Sequence, residues 1–160
     1  MKRKIRNLLP ILAAVLTVAA GLCSTSVVAF AEDDVCSAAT LNGSYGTQSS
    51  GSILAGGPII GPIAEAGTIT FDGVRGVSQI TTVSLAGQII PNRPSLSGSY
   101  QVYADCTGDL EVVFAVPGGT TTSMLHFVIV DQGKEILLVN TGTGRVIVGN
   151  AKKIGNARKE

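Results

Sequence analysis

The stretch "LEVVFAVPGGTTTSMLHFVIVDQGKEILLVNTGTGRVIVG", residues 110–149, decides the fold class. Short runs rich in Val, Ile, Leu, Phe and Thr alternate with "PGG", "DQGK" and "TGTG", and no run keeps a helical period. Glycine supplies the positive-φ positions that tight hairpins require, and Asp and Asn favour turns through their own side chains. The four strands read here are 110–116, 121–130, 135–140 and 145–153.

Working back toward the N-terminus, the same grammar gives four more. These are "LNGSYGTQSS" (41–50), "GTITF" (67–71) before the turn "DGVRG", "VSQITTVSLAG" (77–87), and "LSGSYQVYAD" (96–105) before "CTGD". Eight consecutive hairpin-connected strands predict an all-β, eight-stranded antiparallel up-and-down barrel, with a β-sandwich as the alternative. The domain spans 32–154, and 155–160 reads as a flexible tail.

Residues 1–31 read as a cleaved export signal. Lys2, Arg3, Lys4 and Arg6 form a basic head, "LLPILAAVLTVAAGLC" an apolar centre, and Ala29-Phe30-Ala31 an A-x-A site. The polar "STS" after Cys23 interrupts what a retained membrane anchor would need, and Leu22 before Cys23 does not suit a lipidation signal. The expected location is therefore secreted or periplasmic, with no stable membrane span after cleavage. An outer-membrane barrel would show aromatic girdles, whereas only Tyr45, Phe71, Tyr100, Tyr103, Phe114 and Phe127 remain beyond the signal.

Beyond residue 31 the chain keeps eight basic and eleven acidic side chains, a formal charge of −3. The basic residues are scattered, so a nucleic-acid partner is not expected. Two cysteines remain, and in an oxidising compartment they predict a Cys36–Cys106 disulfide. Counting strand reversals puts both at one end of the barrel, since Cys36 precedes the first strand and Cys106 follows the fourth.

The same count gathers the two longest connections, "GSILAGGPIIGPIAEAG" (51–67) and "AGQIIPNRP" (86–94), at the other end. Ile59, Ile60, Ile89 and Ile90 lie there. One reading makes them a plug over the barrel mouth. The other makes them a mouth for a small apolar ligand or a contact for a protein partner.

Little else carries chemistry. His126 is the only histidine; it is either a hydrogen-bonded strand residue or an acid/base facing a cavity. Asp105, Asp109 and Glu111 cluster, with Asp72 and Asp131 in other turns; they read as turn caps rather than a calcium loop. A zinc site lacks ligands, no Gly-x-Ser-x-Gly elbow opens a helix, and "NTGTGRVIVG" lacks the ending of a phosphate loop. No cofactor or metal is expected.

The stretches "CSAATLNGSYG", "GTITFDGVRGV", "LSGSYQVYADCTGDLEV" and "FVIVDQGKEILLV" together resemble small exported bacterial β-barrel proteins. Those begin Cys-x4-Leu-x-Gly-x-Tyr and later carry Gly-x-Tyr and Asp-Cys-Thr-Gly. The likeness implies export and a barrel but supplies no activity. Gly43-Ser44-Tyr45 is similar to the Gly-x-Trp opening of lipocalins and other calycins, where the aromatic closes one barrel end. The allene oxide cyclase-like barrel is a comparable scaffold from which no catalytic residue maps onto this chain, and fold analogy does not carry function.

Two readings of the whole follow. The first is an exported non-enzymatic barrel that binds a small apolar ligand or a protein partner at one end. The second is a disulfide-braced structural module with a solid core; an enzyme using His126 stands behind both. The near-repeat of "LNGSYG" (41–46) in "LSGSYQ" (96–101) reads as one local device used twice: a glycine bends the strand and a tyrosine covers the gap. With strand four starting at residue 96, the two copies are expected to begin at opposite ends of the barrel.

Overall fold

The computed structural model describes residues 35–57 and 59–154; the export signal and the tail expected at the two ends lie outside the described residues. Eight strands close into one barrel in sequence order, each antiparallel to its neighbours, with β1 paired to β8. They are β1 (Asn42–Ile53), β2 (Gly61–Asp72), β3 (Val77–Leu85), β4 (Gln88–Val102), β5 (Thr107–Val116), β6 (Gly119–Val130), β7 (Glu135–Asn140) and β8 (Arg145–Lys153). The barrel is the expected one, and closure leaves no strand edge unpaired.

Two expected connections are shorter than their proline content suggested. β2 begins at Gly61, so the first connection is only 54–60. β4 begins at Gln88, so Ile89 and Ile90 belong to a strand and the second connection is the hairpin at Ala86-Gly87. Proline normally ends a strand because it lacks an N–H. Here Pro62 is the second residue of β2, and Pro91 and Pro94 flank an irregularity in β4, so the pairing survives around them.

The end where β1 starts is solid. Tyr45, Phe71, Phe127, Leu41 and Ile136 are almost wholly buried there, and each such side chain contributes about 1.5–3 kcal/mol by leaving water. Phe71 makes edge contacts with both repeat tyrosines, at 5.5 Å from Tyr45 and 5.0 Å from Tyr100. Tyr45 donates its hydroxyl to the Gly133 carbonyl (2.6 Å) and Tyr100 to the Ala38 carbonyl (3.0 Å). The tyrosines thus meet at one end, not at opposite ends, because β4 starts eight residues earlier than its sequence signal suggests. The 3-10 turn Ala38–Thr40 lies across this end, and the expected Cys36–Cys106 disulfide ties it to the β4–β5 turn.

Candidate functional site

The opposite half of the barrel is not filled. Between the solid floor and the loops lies a cavity of about 140 Å³. Ile69, Leu110, Leu125 and Leu138 line it together with buried Gln79 and Thr47, apolar residues such as Ile63 and Val83 continue the wall, and Glu65, Arg93 and Arg145 are the charged residues that line it. Asn140, Ser49, Thr121 and Ser123 add polar groups.

Local backbone geometry places Arg93. Along β4, Ile90 pairs with Val83 and Arg93 with Thr81, so three steps on β4 match two on β3. That is a bulge, with Asn92 in the left-handed region at φ 47° and its N–H donated to Thr82 Oγ1 at 3.3 Å. A second bulge follows, where Ser95 pairs with Phe114 but Ser97 pairs with Val113. Opposed residues in an antiparallel pair share a face, and a bulge shifts the alternation by one. Tyr100 and Ile90 face inward on even numbers, and Gly98 occupies an inner-face position opposite buried Val112. Between the two bulges the inward residues are the odd ones, Arg93 and Ser95.

An uninterrupted β4 would turn Leu96 into the barrel and Arg93 out to water. The observed strand does the reverse: Leu96 is 60% exposed, while the Arg93 side chain is only 16% exposed. The guanidinium lies over the Phe114 ring, 4.1 Å from its centroid, an arrangement that desolvation strengthens. Its Nη2 is 3.6 Å from Glu65 Oε2, an ion pair longer than a hydrogen bond. Arg93 Nε is buried without a hydrogen-bond partner, as is Thr81 Oγ1 on the residue directly opposite. Burial draws the Arg93 guanidinium below its ordinary pKa; the Glu65 charge opposes this and the Arg145 charge adds to it. Arginine remains charged nonetheless.

The other polar groups are held in place. Ser49 Oγ donates to Glu65 Oε1 (2.9 Å). Arg145 donates through Nη1 to the Thr122 carbonyl (2.9 Å) and through Nη2 to Thr121 Oγ1 (3.0 Å). Asn140 Nδ2 donates to Ser123 Oγ (3.1 Å) while its Oδ1 caps the β7–β8 turn at Gly142 (2.9 Å).

The four isoleucines expected at the mouth divide. Ile59 and Ile90 line the cavity. Ile60 and Ile89 are 61% and 63% exposed and point away from it. His126 faces outward on β6, its side chain 40% exposed, and does not line the cavity. Its Nδ1 bonds Asp109 Oδ1 at 2.8 Å, and Tyr103 donates to Asp109 Oδ2 at 2.8 Å. These two bonds, the His126 bond foremost, hold the Asp109 carboxyl below its ordinary pKa. An acid/base role inside the barrel is thus not available to His126; the geometry is that of a hydrogen-bonded strand histidine. Among the described residues, no group of three or more His, Cys, Asp and Glu side chains is placed to hold a metal ion.

Glu65, Arg93 and Arg145 were not singled out from the sequence. For two of them a signal exists: Glu65 shares the alternation phase of Ile63, Ile69 and Phe71, and Arg145 that of Ile147 and Ala151. A charge in the apolar phase of a strand marks an interior charge. Arg93 has no such signal, because the bulges that turn it inward depend on its neighbours in space.

No protein-family model matches the chain, and neither a curated protein nor a solved structure matches it.

Proposed function

We propose that this protein is an exported, non-enzymatic barrel that takes one compact, partly apolar small molecule into the open half of its interior. The observation that carries the reading is the cavity of about 140 Å³ above a solid floor. Eight-stranded barrels are either filled by side chains or leave room for one small ligand. An apolar cavity of ~150 Å³ is enough to take up benzene, so the guest is of that size, well below a long-chain lipid. Export is supported by the signal-like head of the chain and by the disulfide, which suits an oxidising compartment.

The test is methyl NMR on isoleucine-labelled protein titrated with toluene. Ile63, Ile69 and Ile147 line the cavity, and their δ-methyl signals should shift in a saturable way. Ile80 and Ile89, on the outside, should stay still. Uniform or absent shifts with toluene, and equally with benzamide and benzoate, would remove the ligand reading.

A second reading, a structural module that works through its surface, draws on the outer wall. Val128, Leu137, Val139, Val146 and Val148 are exposed on adjacent strands β6, β7 and β8. Sedimentation that stays monomeric at millimolar concentration would count against self-association through that wall.

A further inference from the structure

We propose that the cavity's guest is a monoanion, a compact carboxylate on an apolar body of about benzoate size, received by Arg93 with Arg145 beside it. This deepens the small-molecule reading above and rests on it.

Charge supports it first. The cavity wall holds two guanidinium groups and one carboxylate, one positive charge in excess. An uncompensated charge in a partly desolvated site is unfavourable, and a single negative charge arriving with the guest removes the excess. A dianion would overshoot and would face Glu65.

Hydrogen bonding supports it independently. Arg145 already uses Nη1 and Nη2 on Thr122 and Thr121. Arg93 is differently placed: its Nη2 stands 3.6 Å from the nearest carboxylate oxygen, beyond hydrogen-bond length, and is not tied down as the Arg145 nitrogens are. The guanidinium carbon lies 4.1 Å from the centroid of the Phe114 ring, which limits its movement on that side. A planar, oriented fork with an unused N–H suits a carboxylate, which can accept two parallel bonds. The predominantly apolar remainder of the lining, Ile63, Ile69, Leu110, Leu125 and Leu138 among it, suits a hydrocarbon body.

The backbone supplies the third argument. Two bulges in one strand reverse the facing of the residues between them, hiding Arg93 and exposing Leu96. Packing alone favours the opposite arrangement. A paired irregularity whose result is an inward guanidinium fits a recognition group, since bulges commonly re-aim side chains at sites.

The experiment compares benzoate, benzamide and toluene by the same isoleucine-methyl titration and by calorimetry, on the wild type and on Arg93→Met. Benzoate should bind at least about tenfold more tightly than benzamide, as a charge-assisted pair implies. In Arg93→Met, benzoate should lose about tenfold or more while toluene changes by less than about threefold. Should Arg93→Met fail to fold, Glu65→Gln carries the test. Removing the competing carboxylate should tighten benzoate severalfold and leave toluene unchanged. Equal affinity for benzoate and benzamide, or benzoate binding indifferent to both substitutions, overturns the anion assignment. Toluene binding without benzoate binding overturns the anion assignment alone, whereas failure of all three probes overturns the small-molecule reading with it.

Discussion

Arg93 and Glu65 face each other across the barrel interior at 3.6 Å, with the guanidinium resting on Phe114. The pair joins β4 to β2, strands that share no hydrogen-bonded ladder. Both side chains are less than a fifth exposed, at 16% and 18%. Neither charge is well solvated, and each depends on the other.

Removing one partner should therefore cost more than removing both. Glu65→Gln leaves the Arg93 charge beside Arg145 without a carboxylate, and we expect a loss of about 3 kcal/mol, the low end for a broken buried pair. The double substitution Glu65→Gln/Arg93→Met should recover most of that loss, since an apolar replacement removes the stranded charge. Urea denaturation of the two single variants and the double variant measures the coupling. Additive effects would show that the pair does not interact.

The bulge that aims Arg93 depends on Asn92 holding φ 47°. Asn92→Gly should leave stability nearly unchanged, because glycine adopts that conformation freely. Asn92→Val should cost about 1–2 kcal/mol, the penalty of the left-handed region for an ordinary L-residue. Thermal denaturation of the two variants distinguishes them; equal stability would mean that the strand relaxes out of the bulge.

The disulfide closes a loop with a sequence separation of 70. The chain-entropy account assigns such a loop about 4 kcal/mol. Reduction, or Cys36→Ser with Cys106→Ser, should lower the unfolding free energy by that order. The first contacts to loosen should be those of Ala38 and Leu41 at the closed end. Hydrogen exchange at the Leu41 amide, bonded to the Ala38 carbonyl at 3.1 Å, reports it. Exchange at Leu41 that is unchanged on reduction would contradict this order of loosening.

Acid should destabilise the fold through its turns. Asp72 Oδ1 accepts N–H groups from Val74, Arg75 and Gly76 at 2.8, 2.9 and 2.9 Å. These bonds, the one from Val74 foremost, hold its carboxyl below the ordinary value of 3.8. Asp105 is lowered by the Thr107 hydroxyl and amide, and Asp109 by His126 and Tyr103. A carboxyl with a lower pKa in the folded than in the unfolded chain stabilises the fold above its unfolded value. That contribution is lost as pH falls through the folded value. Stability should thus be insensitive to these groups near neutrality and should fall below about pH 4. Asp72→Asn should flatten that fall, which urea midpoints between pH 2 and 6 would register; an identical acid slope would refute the role of Asp72.

How much of this was legible in the chain depends on the range of the interactions. Strand number, order and antiparallel sense follow from local signals, alternation between "DGVRG", "DQGK" and "TGTG" turns, and these depend on a few neighbouring residues each. The Cys36–Cys106 bridge follows from there being two cysteines beyond residue 31, and the strand count agrees with it by placing both at one end. Strand ends were less legible: Pro62, Pro91 and Pro94 look like breakers, yet the barrel accommodates them near a strand start and around a bulge. The near-repeat tyrosines read as closing elements at opposite ends, yet they meet at one end because β4 runs on through Pro91 and Pro94.

The amino-acid sequence by itself thus determined the eight strands, their order and their antiparallel connections, since each rests on alternation and turn chemistry within single hairpins. Only the tertiary structure decided what the open half contains. Glu65 and Arg145 announce themselves by sitting in the apolar phase of their strands. Arg93 does not, because its inward facing is set by two register shifts against β3 and β5. Register between strands is a property of paired chains, settled by packing across the barrel, and no single strand carries it.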